Sequence, residues 1–295
     1  YTGGTAVEAG TFRILSGGDL SNSTNVTISS GATFDLNNQS ITVRSLAETA
    51  TGNGGTLDLG SGTLTVAGGY TGNLFQNTIT GIGNLVKNGT GTWVLYGNND
   101  FTGTTTVNGG TIQINNANGF GTTAGNVSVA DGAAIAFNAS ADYPAQNLIL
   151  NGVGIANAGA WRKIDTGNRI FAGSVTLNSD TRFTATGGTL QFDGAMNFNG
   201  NTMYFGGDQN FEFRSSSSTS NVTKTTGDGA IFKDGTGILW IRPNSNLTGN
   251  ITLNNGEIRQ FTGNFPTSGK VVIRGGTYRT DTTTDRTIPK DVDIE

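Results

Sequence analysis

The sequence predicts an all-β protein, a right-handed parallel β-helix wound as one elongated rod. Three observations predict it. Apolar residues alternate with Thr, Asn, Gln and charged residues at period two. Blocks repeat in a fixed register. Gly and Asn punctuate every few residues, and helical periodicity is absent throughout. The blocks place one continuous β-helix over residues 1–295, with repeat copies near 1–46, 81–137 and 227–279.

The first copy opens Tyr1-Thr-Gly-Gly-Thr-Ala-Val-Glu-Ala-Gly-Thr-Phe-Arg-Ile14. It reads like Phe101-Thr-Gly-Thr-Thr-Thr-Val-Asn-Gly-Gly-Thr-Ile-Gln-Ile114 and like Leu247-Thr-Gly-Asn-Ile-Thr-Leu-Asn-Asn-Gly-Glu-Ile-Arg-Gln260. A second block precedes two of these, Gly89-Thr-Gly-Thr-Trp-Val-Leu-Tyr-Gly-Asn-Asn99 and Gly235-Thr-Gly-Ile-Leu-Trp-Ile-Arg-Pro-Asn-Ser245. One offset aligns both blocks, which composition alone rarely produces. Within a block, Val107, Ile112 and Ile114 mark one buried face of short strands. Asn108-Gly109, Asn151-Gly152, Asn199-Gly200 and Asn255-Gly256 suit tight corners, where φ is positive. At roughly 20 residues per coil the chain makes on the order of 13 to 15 coils. A propeller or sandwich of antiparallel hairpins is the architectural alternative.

Composition then excludes chemistries. Among 295 residues there are 47 Gly, 46 Thr and 33 Asn, with no Cys and no His. No disulfide framework, thiol nucleophile, imidazole base or histidine-ligated metal is available. A net charge of -4 without basic clusters argues against nucleic acid as a partner. No apolar run approaches the ~18 residues a membrane span needs. No cofactor, metal or catalytic residue is expected. Asp281, Asp285, Asp291 and Asp293 gather near the end without a recognised calcium-binding pattern.

The residues 81–114 resemble the autotransporter-associated β-strand repeat, also called the passenger-associated transport repeat. Gly83, Leu85, Lys87, Gly89, Gly91, Asn98, Phe101, Thr102, Gly103 and Gly110 follow its pattern. Tyr1 to Ile14 is similar to the second half of the repeat. Residues 227–258 form a decayed copy that keeps Lys233, Gly235 and Gly237. The Phe-rich centre, 171–213, alternates without the motif. The resemblance implies a passenger-type β-helix exported across the outer membrane of a Gram-negative bacterium and displayed extracellularly. It implies a structural or adhesive module, with a carbohydrate or protein of a cell surface or matrix as partner. Both ends read as unfinished coils, which predicts an excerpt of a longer array or head-to-tail stacking into a filament.

Surface-contact candidates are few. Aligning the two second blocks sets Trp93 on Leu239 and Trp240 on Val94. Trp93 is then expected to face inward, and Tyr96 and Trp240 outward, with Arg242 beside Trp240. Trp161, Arg162, Lys163, Asp165 and Arg169 form the densest charged cluster. Following Gly152–Gly159, it reads as a protruding loop of the kind that carries binding, or simply a solvated one. Ser215–Ser218 reads as a loop without chemistry. Two other functions stay open. A polysaccharide-binding or -cleaving β-helix needs acids grouped in a groove. An ice-binding β-solenoid needs flat, regular Thr rows, and the segments Thr104–Thr106 and Thr282–Thr284 supply only fragments of one.

Overall fold

Short β-branched stretches separated by Gly and Asn corners leave each strand one apolar face to bury, and coiling buries all of them in a common interior. In the computed structural model the chain winds as a parallel β-solenoid of about 11 turns. The structure describes residues 3–48, 54–69, 71, 73–143, 145–213, 228–241, 248–260, 269–280 and 292–294. Among them the one helical element is a 3-10 turn at Ile155–Asn157. There are fewer turns than the expected 13 to 15 because many turns exceed the nominal length. Asn88 and Asn108, stacked at 2.9 Å, lie 20 residues apart, but Asn210 and Ile238 lie 28 apart.

The chain divides into two compact units, residues 1–146 and 147–295. In the first, Thr11–Arg13, Thr33–Asp35, Thr56–Asp58 and Thr78–Thr80 stack in parallel. Their inward ladder is Phe12, Phe34, Leu57 and Ile79. A second row runs through Ile41–Val43, Thr63–Val66, Asn84–Lys87, Thr105–Val107 and Asn126–Val129. A third contains Asn73–Phe75, Thr92–Leu95, Thr111–Ile114 and Ala134–Phe137, and buries Trp93 over Ile112 and Ile135. Trp93 is 1% exposed, and Tyr96 39%, as the block alignment requires.

In the second unit, Trp161–Lys163 pairs with the strand Val175–Ala185, which pairs with Thr202–Gly207; Ala230–Lys233, Ile251–Leu253, Val271–Ile273 and Val292–Ile294 follow in order. Arg169–Phe171 begins another row through Thr189–Phe192, Asn210–Phe213, Ile238–Ile241, Glu257–Gln260 and Thr277–Thr280. The Phe-rich centre fills this interior with rings in edge and tilted contact. Trp161 lies 4.7 Å from Phe171 and 5.3 Å from Phe183, and Phe205 lies 4.8 Å from Phe211. Such pairs add about 0.5–1.5 kcal/mol each beyond their buried area.

Glycine serves a second purpose that the composition did not disclose. Gly132, at φ +75, has open space where a side chain would be, so it is there for its backbone angle. Gly62, Gly83, Gly103 and Gly125 stack in file for a different reason. A Cβ at Gly83 would sit 2.0 Å from the Gly62 carbonyl oxygen, and one at Gly103 or Gly125 would be 1.9 Å from the glycine oxygen one turn earlier. Only hydrogen fits between successive backbones there.

Candidate functional site

Two kinds of place concentrate chemistry: three corners that bury a lysine, and the outward-facing rows of the second unit.

Lys87, Lys163 and Lys233 occupy inward positions of their strands and are 1%, 0% and 1% exposed. Each begins the same local pattern, Lys87-Asn-Gly-Thr-Gly91, Lys163-Ile-Asp-Thr-Gly167 and Lys233-Asp-Gly-Thr-Gly237. The aliphatic stem packs in the core while the ammonium turns into the corner that follows, where backbone carbonyls leave the strand ladder. Lys87 Nζ donates to the Gly89 oxygen and reaches the Gly109 oxygen, one turn on, at 3.5 Å. Lys163 Nζ donates to the Asp165 oxygen at 2.8 Å and to the Gly187 oxygen of the next turn. Lys233 Nζ donates to the Gly235 oxygen. At Lys87 and Lys163 the ammonium therefore ties two successive turns together. Burial pushes the Lys87 and Lys233 amines down to about 8 from 10.5. Burial also lowers Lys163, with the Asp165 carboxylate pulling in the opposite sense.

These corners correct one expectation. Trp161, Arg162 and Lys163 are not a protruding loop but the strand Trp161–Lys163. Trp161 is 0% exposed amid Phe171, Phe183 and Phe192. Arg162 alone of the three faces outward, half-buried beside Thr184. Asp165 gathers this corner. Its Oδ1 accepts from the Gly167 amide at 2.9 Å and lies 3.4 Å from Lys163 Nζ and 3.1 Å from Arg169 Nε. The cluster seen in sequence is thus an internal structural brace with Arg169 at its rim.

Trp240 sits elsewhere, half-buried on the outer face of Ile238–Ile241. Arg242 lies outside the described residues, as do Ser215–Ser218, Thr282–Thr284, Asp281, Asp285 and Asp291. The register places Trp240 between Glu212 and Arg259, and Arg279 follows Arg259. Glu257 binds Arg259 Nε at 2.8 Å and lies 3.3 Å from Arg279 Nε. The Arg259 hydrogen bond, with both guanidinium charges, holds its carboxyl below the usual range. Gln191 donates to Glu212 at 2.7 Å. The register sets Gln191, Glu212, Trp240, Arg259 and Arg279 in one row on the outer side of the strands, about 4.8 Å apart, with Glu212 covered at 4% exposure.

A second outward row aligns Arg182, Tyr204, Phe232 and Thr252. The Tyr204 and Phe232 rings lie 5.5 Å apart. Arg182 grips both oxygens of Asp234 at 2.8 and 2.9 Å. Asp180 accepts from the Thr202 amide at 2.8 Å and from the Tyr204 hydroxyl at 3.4 Å. Burial and that carboxylate raise the Tyr204 hydroxyl. Among the described residues no group of three His, Cys, Asp or Glu is arranged to hold a metal ion, and no helix is long and apolar enough to cross a membrane.

Comparison with known proteins matches the repeat geometry. Residues 1–14 and 85–114 match the model of the Passenger-associated-transport-repeat. The chain carries passenger-associated transport repeats. The matched repeat 85–114 contains the Lys87 corner, the buried Trp93 strand and the strands Thr105–Val107 and Thr111–Ile114. Over 155 residues, 52% of its length, the chain is 36% identical to an autotransporter adhesin, BmaC, of Brucella suis biovar 1 (strain 1330). It spans about 4% of that relative. No solved structure matches the chain. The chain is thus a parallel β-solenoid with two segments similar to this repeat and about half its length similar to an autotransporter adhesin. The sequence signal for the Lys87 and Lys233 corners was a Lys at an inward position before x-Gly-Thr-Gly, and at Lys163 an Asp takes the first glycine's place.

Proposed function

We propose that this chain is a non-catalytic adhesive segment of a surface-displayed autotransporter passenger, and that it makes contact through the outward row around Trp240. The observation that carries this reading is the similarity to an autotransporter adhesin over half the chain, joined to a solenoid whose outer residues stack in rows. In a chain with 13% charged residues, the row Trp240, Arg259 and Arg279, with Glu257 beside it, combines an aromatic face with guanidinium groups. Trp and Arg are the side chains that dominate binding energy where they are presented together. Carbohydrate or protein on a host cell or in its matrix fits such a row, with repeated segments of a long passenger adding avidity.

The test is binding of the purified chain to panels of immobilised glycans and matrix proteins. Trp240→Ala and Arg279→Ala should each weaken binding by about tenfold or more, the effect of a contact worth at least ~1.4 kcal/mol. Their urea midpoints should stay near that of the wild type. Binding to none of the probes removes the adhesive reading; binding that ignores both substitutions moves it off this row. The same panel read for released sugar addresses a polysaccharide-cleaving β-helix, for which Asp180 and Asp234 on the Arg182 face are the candidate acids. An ice-binding surface fits poorly, since turn lengths of 20 and 28 residues break the even spacing it needs. Head-to-tail association of copies belongs to the same proposal. Sedimentation as a monomer at every concentration would remove it.

A further inference from the structure

We infer that Asn255 is a site of self-modification, poised to lose its side-chain amide by attack of the Gly256 backbone nitrogen. Six Asn-Gly pairs fall among the described residues, at Asn88, Asn108, Asn118, Asn151, Asn199 and Asn255. The structure sets Asn255 apart. The Gly256 amide donates to Asn255 Oδ1 at 2.8 Å. The side chain is therefore already folded over the nitrogen that must attack it, and the carbonyl carbon is one bond from that oxygen. Reacting groups held this close convert an improbable encounter into an intramolecular step. The corner is exposed, so water reaches it. Gly256, at φ +78, carries no side chain to hinder ring closure. The Lys233 ammonium adds a favourable charge: a Cβ on Gly256 would lie 2.9 Å from Nζ, so positive charge stands beside the amide that must give up its proton.

At four of the other pairs one of these groups is engaged elsewhere. Asn108 donates its side-chain amide to Asn88 Oδ1 at 2.9 Å, which ties both side chains into an outer ladder. Asn118 is tied to Asn98 at 2.7 Å, and the Gly119 amide is spent on the Asn116 carbonyl at 3.0 Å. The Gly152 amide donates to Ser179 Oγ at 2.8 Å. Asn199 adopts the left-handed conformation at φ 53.

The chemistry balances without a cofactor. The Gly256 nitrogen forms a bond to Asn255 Cγ as the Cγ–Nδ2 bond breaks, and ammonia leaves carrying the amide proton. Water then opens the cyclic imide. Attack at Cγ leaves aspartate; attack at the former main-chain carbonyl leaves isoaspartate, with the side-chain carbon inserted into the backbone. Either product adds one negative charge to the surface. Isoaspartate also lengthens the chain where Gly256 is stacked between Gly235 and Gly276. A Cβ on Gly256 would meet the Gly235 oxygen at 2.3 Å, and one on Gly276 would meet the Gly256 oxygen at 2.4 Å.

The experiment is incubation of the whole folded chain in warm buffer, followed by proteolysis and mass spectrometry of each Asn-Gly peptide. A parallel incubation uses the chain unfolded in urea. Asn255 should convert several times faster than the other five described pairs when folded, and at a rate comparable to theirs when unfolded. Asn255→Gln, whose ring closure is slower, should stop conversion at that corner while leaving the solenoid folded. Conversion led by another described pair, or the same ranking in folded and unfolded chains, overturns the inference.

Discussion

The corners at Lys87 and Lys163 are built on one local pattern, yet they neutralise their buried ammonium differently. At Lys87 the ammonium meets carbonyl oxygens alone, and the residue two places on is Gly89. At Lys163 that place is taken by Asp165, which adds a carboxylate 3.4 Å from Nζ and brings in Arg169. Lys233 shares the Lys87 corner's glycine two places on and donates to its oxygen, with the Asp234 carboxylate and Arg182 acting from nearby. The difference teaches what the shared geometry of a corner asks for. It needs donors for stranded carbonyls in a dry place, and a cation on a flexible stem supplies them. A counter-charge is an optional addition.

The comparison breaks most severely at the corner with the most charge. Lys163→Met should destabilise the fold by about 3–5 kcal/mol, the usual cost of removing one partner of a buried ion pair. It removes the lysine's charge from the 7%-exposed Asp165 side chain, which keeps Arg169 and the Gly167 amide, and strips the donor from the Asp165 and Gly187 carbonyls. Adding Asp165→Gly to Lys163→Met should recover part of the loss by removing the stranded carboxylate. Urea denaturation of both variants measures this. A single variant no less stable than Lys87→Met would show that Asp165 contributes nothing to the distinction.

The exchange in the other direction has a different cause. Gly89→Asp would give the first corner the second corner's carboxylate, but a Cβ at Gly89 would lie 1.8 Å from the Gly68 oxygen and 2.6 Å from the Ala67 oxygen. The backbone one turn below must move, and about 3 kcal/mol of destabilisation is expected, at the upper end for overpacking. Gly89→Ala should cost nearly as much, because the clash is with the Cβ and not the charge. If Gly89→Ala is neutral in thermal unfolding while Gly89→Asp is not, charge and not space keeps this place glycine.

The same corners show where the sequence was legible. Strand positions were: the shared offset of two blocks set Leu95 on Ile241, and this put Trp93 in the core and Tyr96 outside, as the structure has them. Alternation carries such information because a side chain's face depends only on parity along a strand. The Lys163 corner was not read correctly, because parity was overruled by charge. Trp161-Arg162-Lys163 alternates inward, outward, inward, but a lysine at an inward place resembles a solvated loop until the carbonyls that receive it are visible. Gly83 and Gly132 pose the same difficulty. One is required by the backbone of the turn before it and the other by its own φ, and a glycine in a sequence carries no mark of which. Trp240 was read as outward, but its neighbours Arg259 and Arg279 come from later turns, 19 and 39 residues away, and only the register assembles them into a row.

The pH dependence sharpens the comparison most directly, because it concerns protons alone. Burial lowers Lys87 to about 8 from 10.5. Below pH 8 the lysine is protonated in both the folded and the unfolded chain, so its contribution does not change with pH, and the cost of burying the ammonium is fully present. Between about 8 and 10.5 the unfolded chain binds more protons than the folded one, so stability rises with pH. Above 10.5 both states are neutral and the cost is gone. Lys87→Met removes the titrating group while keeping most of the volume. The stability of the wild type relative to this variant should therefore increase across pH 8 to 10.5 and be level below it. The same comparison with Lys163→Met should rise less steeply, because the Asp165 carboxylate offsets part of the burial effect. Urea midpoints of the three proteins across that range decide the matter. Parallel curves for Lys87→Met and the wild type would mean that the corner carbonyls solvate the ammonium as well as water does, and the distinction between the two corners would then rest on Asp165's packing alone.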